Sequence, residues 1–146
     1  MDEKVFLTDY FDQCRSFLAD IDVADKIIEA KKVILATKER GGQLIFAGNG
    51  ASASIANHAS LDFTKQGKVR SVNFNESAFI TAFSNDYGYE NVFSREIDAI
   101  GDKKDVLIAI TTSGNSLNIL KAIQAAEEKN IFTVVFTGLS KGKVCN

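Results

Sequence analysis

The spacing of apolar positions changes period once along the chain, near residue 42. Before that point Phe6, Tyr10, Phe11, Cys14, Phe17 and Leu18 recur at intervals of three and four, which is the repeat of one helix face. A break is predicted at Asp20-Ile21-Asp22, with Asp22 as the N-cap of a second helix carrying Ile27, Ala30 and Ile34. Lys38 and Arg40 in its last turn, followed by Gly41-Gly42, are the expected stop signals. Beyond residue 42 short apolar runs take over: 43–47 (QLIFA), 69–74, 106–110 (VLIAI) and 131–136 (IFTVVF). Each is read as a strand. Between them lie helical segments, one capped by Ser52 and running to about Gln66, then others at 77–84, 90–100 and 116–129, the last with Leu117, Leu120, Ile123 and Gln124 alternating faces. Asn85-Asp86-Tyr87-Gly88-Tyr89 reads as a polar turn.

Strands that are apolar throughout, alternating with helices, predict a parallel sheet covered on both faces. The fold class expected is α/β: a doubly wound, flavodoxin-like three-layer sandwich with an N-terminal helical extension. The 146 residues form a single domain in this reading, with 1–40 as the extension and 41–146 as the core. Ligands in such folds bind at the carboxyl ends of the strands, so the loops 48–52 and 111–116 are where chemistry is expected.

Composition narrows the function. Apolar residues make up 45% and charged residues 25%, enough apolar material to bury a core. There are 17 Lys and Arg against 19 Asp and Glu, giving a net charge of −2 and no basic block, which argues against a nucleic-acid partner. No apolar run is long enough to span a membrane, and the first residues do not resemble a secretory signal. A cytoplasmic protein with two reduced thiols, Cys14 and Cys145, is the resulting expectation.

The loop Thr111-Thr112-Ser113-Gly114-Asn115-Ser116 gathers four hydroxyls around one glycine at a helix start. Hydroxyls donate to phosphate oxygens, and a helix N-terminus favours an anion. With no lysine it is not a Walker-type loop; it is either a neutral cradle for a small phosphate monoester or a Ser/Thr-rich helix cap. The other loop, AGNGASAS, is not a dinucleotide fingerprint, because its third glycine position is Ala53. It is a tight turn able to expose Asn49 and Ser52 to a small ligand. His58 and Asp62 stand four apart on the following helix. They are either a surface pair or an acid/base or metal half-site facing the cleft. Two ligands do not complete a zinc site.

Taken together, strand-GNGxS-helix, then SNDYGYENVFSR, then DVLIAITTSGNSLNILKAI resemble the sugar-isomerase (SIS) domain, and within it the phosphoheptose isomerases, from about Phe11 to Gly142. The resemblance implies an aldose–ketose isomerase that interconverts sedoheptulose 7-phosphate and a heptose 7-phosphate through an enediol. It implies that Ser52, Thr111, Ser113 and Ser116 hold the sugar phosphate, with Thr112 and Asn115 in the same loop, and that Asn49 and Asp86 line the sugar end. His58 matches a histidine that ligates zinc in some members, so zinc is a possible cofactor with Asp62 as the other half of its site. Asp62 stands where the family usually carries the glutamate that acts as base. Related proteins are tetramers with sites formed between subunits, so a homo-oligomer is expected, and the aromatic residues of the N-terminal helices agree with that. The sequence departs from the family pattern at Asp62, one methylene shorter than glutamate, and at Phe63-Thr64-Lys65-Gln66. The family's last strand, its long final helix and a second catalytic histidine on that helix would fall beyond Asn146. A non-catalytic member of the same fold, resembling the replication-initiator-associating proteins, is the alternative reading.

Overall fold

A computed structural model describes residues 2–18, 23–138 and 142–145, without the side chains of residues 17 and 18. The expected break at Asp20–Asp22, the Asp22 cap and the side chains of Phe17 and Leu18 lie outside the described residues. The chain forms two compact units, residues 1–32 and 33–146.

The first unit holds helix α1 (Glu3–Leu18) and the start of α2 (Ala24–Glu39). Along α1 the rings of Phe6 and Tyr10 stack at 6.5 Å and Tyr10 meets Phe11 edge-on at 5.8 Å. All three remain about half exposed, as do Val5, Leu7, Ile27 and Ile28.

The second unit contains strands β1 (Leu44–Gly48), β2 (Ser71–Asn73), β3 (Val106–Thr111) and β4 (Phe132–Thr137), with helices α3 (Ala51–Lys65), α4 (Ser77–Tyr87), α5 (Val92–Ile100) and α6 (Leu117–Glu128). The sheet is parallel throughout in the order β2-β1-β3-β4. The chain therefore leaves β1 in one direction and β3 in the other, which is the doubly wound arrangement expected. The strand period of two sorts the core. Ile45, Ala47, Leu107 and Ala109 face one way and pack with Val92, Phe93, Ile97, Ile119 and Ala122 of α5 and α6. Leu44, Phe46, Val106 and Ile108 face the other way and pack with Ala56 of α3, and with Val33, Ile34 and Phe63 at that layer's margin. The compact unit thus begins at Val33 rather than near residue 41, because the last two turns of α2 carry core residues, including fully buried Thr37.

Several expected boundaries shift for physical reasons. The turn at 85–89 is largely helix: Asn85, Asp86 and Tyr87 form the last turn of α4, which stops at Gly88, where φ is +84°. The following residues 89–91 make a 3₁₀ turn, so α5 starts only at Val92. The buried stripe of α6 is Asn118, Ile119, Ala122, Ala125 and Ala126, whereas Leu117 is exposed. Strand β4 is not covered on both sides. It is an edge strand, and Phe132 and Phe136 are half exposed. Asp105, itself buried, ties the strand starts together: its carboxylate accepts from the backbone N–H of Gln43 at 2.9 Å and of Asp102 at 2.9 Å.

One buried residue opposes the packing. Glu96 lies on the inner stripe of α5, only 2% exposed, and neither carboxyl oxygen has a hydrogen-bond partner among the described residues. Burial pushes its pKa up to about 8 from 4.5. The folded state then holds a proton that the unfolded chain releases. Stability is full below about pH 4.5 and falls as pH rises to about 8, at up to roughly 1.4 kcal/mol per pH unit. Glu96→Gln should flatten this dependence. Thermal melts are expected to show wild type and variant close at pH 5 and the variant more stable at pH 8; parallel curves would show that Glu96 does not titrate this way.

Candidate functional site

The site is built by two strands that end side by side. Gly48 of β1 pairs with Ile110 of β3, and each strand then turns into a helix. After β1 the turn is tight. Gly50 adopts φ +55°, a conformation a side chain disfavours, and α3 begins at once with Ala51. A Cβ on Gly48 would come within 2.7 Å of the Ser52 carbonyl oxygen, so the strand end and the first turn of α3 approach closely only because residue 48 is glycine. Ser52 is therefore not the cap of α3, as its position in the sequence suggested. The cap position is Gly50, with no side-chain bond, and Ser52 lies in the first turn. Its side chain lines a cavity instead.

That cavity, of about 230 Å³, is lined by Asn49, Ser52, Ile110, Thr111, Thr112, Ser113 and Ser116. It sits at the carboxyl ends of β1 and β3 and combines residues of both predicted loops. No lining residue is charged. Ser116 occupies the N-cap position of α6 but makes no capping bond. The Ser/Thr-rich segment is thus not consumed by capping its own helix. Two of its hydroxyls brace the loop: Thr111 Oγ1 accepts from the Gly114 N–H at 3.3 Å, and Ser113 Oγ from the Asn115 N–H at 3.2 Å. Asn115 does not line the cavity. Its amide donates to the Ser113 carbonyl at 2.9 Å, and its oxygen accepts from the Lys143 N–H at 3.1 Å. With Val144 N–H donating to the Gly114 carbonyl at 3.1 Å, residues 143 and 144 brace the loop from behind. Nothing in the local pattern of either segment signals that contact.

Asn49 is shared with a second cavity of about 230 Å³, which also involves Gly50, Ser54, Asn57, Asn75, Tyr89 and apolar Ile80, Val92 and Phe93. Asn49 is held by Asn118, which the sequence reading did not single out, and by Tyr89, which it placed only in the polar turn 85–89. Asn118 exchanges two hydrogen bonds with it at 2.9 and 2.8 Å, and the Tyr89 hydroxyl donates to its Oδ1 at 2.9 Å.

The remaining expected residues lie elsewhere. Asp86 is exposed at the end of α4, where it accepts from the Asn85 amide at 2.9 Å, and it lines neither cavity. His58 and Asp62 form an exposed pair on α3, Nε2 to Oδ2 3.4 Å, with side chains 76% and 46% exposed. Gln66 donates to the other Asp62 oxygen at 3.2 Å. This is the surface-pair arrangement, and neither residue reaches either cavity of the same chain. As a zinc site the donor set is incomplete. No group of three or more His, Cys, Asp or Glu side chains suited to a metal ion comes together among the described residues. Two donors do not make a four-coordinate site, so the described residues of one chain do not fit zinc.

The fold is a doubly wound α/β domain, and its uncharged, hydroxyl-lined pocket between two helix starts at the switch point has the chemistry to take a small anion. The chain belongs to the SIS domain family, whose model matches residues 9–138. It is 40% identical over 132 residues to the phosphoheptose isomerase of Rhodospirillum rubrum, covering 84% of this chain and 69% of that protein. It is 39% identical over 137 residues to the phosphoheptose isomerase of Sodalis glossinidius, covering 89% and 70%. The fold superimposes on the structure of the phosphoheptose isomerase from Neisseria gonorrhoeae with a TM-score of 0.88 at 30% identity, covering 99% of this chain and 79% of that one.

The cradle makes a direct prediction. Ser52→Ala and Ser116→Ala each remove a hydroxyl that no helix cap uses, and each should weaken binding of inorganic phosphate about tenfold, the worth of one hydrogen bond to a charged group. Isothermal titration calorimetry measures this, and unchanged affinity in both variants would place the anion elsewhere.

Proposed function

We infer that the chain is a phosphosugar aldose–ketose isomerase of the phosphoheptose type, acting between sedoheptulose 7-phosphate and a heptose 7-phosphate. The observation that carries this reading is the uncharged hydroxyl pocket at the switch point, in a chain 40% identical to a phosphoheptose isomerase. Such a pocket suits a phosphate monoester on a neutral sugar, because hydroxyls and helix starts neutralise the phosphate without a lysine. The relatives at this identity carry an isomerase name, which favours catalysis over the non-catalytic alternative.

In this reading Ser52, Thr111, Ser113 and Ser116 hold the phosphate, Thr112 and Asn115 belong to the same loop, and Asn49 and Asp86 meet the sugar. Asp62 is the base. Its carboxylate takes a proton from C1 of the ketose while O2 is protonated, giving an enediol; O1 then gives up its proton as the aldehyde forms, and the carboxyl, its proton exchanged with solvent, protonates C2. A heptulose phosphorylated at C7 has its reacting carbons at the far end of the molecule. That fits a base standing apart from the phosphate pocket on the exposed face of α3. Anchoring the phosphate then serves to fix where C1 and C2 fall.

A tetramer with composite sites follows the same line. The support is the exposed apolar surface: Phe6, Tyr10 and Phe11 on α1, Ile55 and Leu61 on α3, and Phe132 and Phe136 on β4 are each about half exposed. A second copy closing over α3 would bring Asp62 out of open solvent, and it would offer further donors to the His58–Asp62 pair, which is the way zinc could be held. No helix among the described residues is long and apolar enough to cross a membrane, and a cytoplasmic location agrees with a sugar-phosphate substrate.

The test follows turnover of sedoheptulose 7-phosphate in D₂O by NMR. Aldose product with deuterium at C2 is expected. Asp62→Asn should lower kcat by about a thousandfold or more, and Ser113→Ala should mainly raise KM. Absence of turnover by the wild-type protein would overturn the reading. Mixing and reassembling the two variants should restore part of the activity if sites are shared between copies.

A further inference from the structure

We propose that Asn118 and Tyr89 are positioning residues that lock the side-chain amide of Asn49, so that it meets the substrate only as an N–H donor. A carboxamide has two lone pairs on oxygen and two N–H groups on nitrogen. Both lone pairs of Asn49 Oδ1 are filled, one by Asn118 Nδ2 at 2.8 Å and one by the Tyr89 hydroxyl at 2.9 Å. One N–H of Asn49 is used by Asn118 Oδ1 at 2.9 Å. One N–H is left. Asn49 lines both cavities at the switch point, so this donor stands between the phosphate pocket and the second cavity.

The lock is held from one helix. Asn118 is 3% exposed, so water cannot readily replace its bonds, and breaking the pair would leave a buried amide unpaired. Lys121, one turn along α6, donates to Asn91 Oδ1 at 2.8 Å, and the Asn91 amide donates to the Tyr87 carbonyl at 2.6 Å. These bonds hold the turn on which Tyr89 sits. Helix α6 therefore fixes both partners of Asn49, one directly and one through the 89–91 turn. A locked donor recognises an oxygen and stabilises one that gains negative charge, as a sugar oxygen does when a proton leaves the neighbouring carbon. An amide free to rotate could present either its oxygen or its nitrogen, and would lose that selectivity.

The substrate in this proposal rests on the isomerase reading; the lock itself does not. The key variant is Asn118→Asp. A protonated carboxyl reproduces the amide pattern, donating O–H to Asn49 Oδ1 and accepting its N–H, whereas an ionised one has no donor. The activity of this variant should therefore acquire a pH dependence that wild type lacks. Near pH 5 kcat/KM is expected close to wild type, falling relative to it by roughly tenfold or more as the new carboxyl ionises, with circular dichroism confirming the fold at each pH. Inhibition by inorganic phosphate should change by less than about twofold, since the cradle hydroxyls are untouched. Tyr89→Phe, at an exposed position, should lower kcat several-fold with a smaller change in KM; it carries the kinetic test if the first variant does not fold. A pH profile parallel to wild type in Asn118→Asp, or unchanged kinetics in Tyr89→Phe, overturns the proposal. The side-chain amide protons of Asn49, followed by NMR, decide the lock without any substrate. Two dispersed resonances, one protected from solvent exchange, are expected, and a pair that exchanges freely overturns it. If wild type shows the protected amide and no turnover, the isomerase reading fails and the lock stands.

Discussion

The site depends on one pairing, that of β1 with β3 in register from Leu44↔Val106 to Gly48↔Ile110. These two strands are neighbours in the sheet although 57 residues or more separate them in the chain, with α3, β2, α4 and α5 between. Because they are parallel, their carboxyl ends stop together. Because the chain leaves them in opposite directions, the helices that follow diverge and leave a crevice. Every residue of the hydroxyl-lined pocket follows one or other strand or lies in the last two positions of β3. The Asp105 carboxylate secures the same pairing from the far end by holding the backbone at Gln43 and Asp102.

Charge is handled differently in the pocket and beyond it. The cavity lining carries no charged side chain, so a bound phosphate would be met by hydroxyls, backbone N–H groups and helix starts. Such donors are fixed by the fold and need no counter-ion when the site is empty. The titratable pair His58–Asp62 lies outside, exposed to solvent. In the proposed reading, phosphate recognition and proton transfer are separated in space: the hydroxyl pocket forms within one chain, and the His58–Asp62 pair stands open to solvent. Glu96 is the opposite case, a carboxyl buried with no partner among the described residues, kept neutral by its surroundings.

The parts of this arrangement that were legible in the sequence are those encoded over short stretches. Continuous apolar runs at 43–47 and 106–110 marked central strands, and TTSGNS marked a hydroxyl-rich loop, because period and composition act locally. Residues whose role depends on distant partners were not legible. Ser52 looked like a cap, yet the close approach of Gly48 to the first turn of α3 lets the helix begin two residues earlier and releases its hydroxyl to the cavity. Asn85–Tyr87 looked like a turn because of their polarity, but helix α4 continues until Gly88 takes a positive φ. Apolar Leu117 is exposed, while the polar Asn118 beside it is buried, and only its bonds to Asn49, 69 residues away, explain why.

By itself, then, the sequence determined the alternation of strands and helices, the parallel sheet and the hydroxyl-rich character of the loop after β3, since these follow from periodicity and from residue type. The tertiary structure decided which residues meet. It brought Asn49 and Ser52 of one loop to Thr111–Ser116 of another, set Asn118 and Tyr89 around Asn49, and left His58 and Asp62 facing outward. The physical reason is that hydrogen bonds across the switch point join segments distant in the chain, and no local pattern records which partner a buried amide or hydroxyl will find.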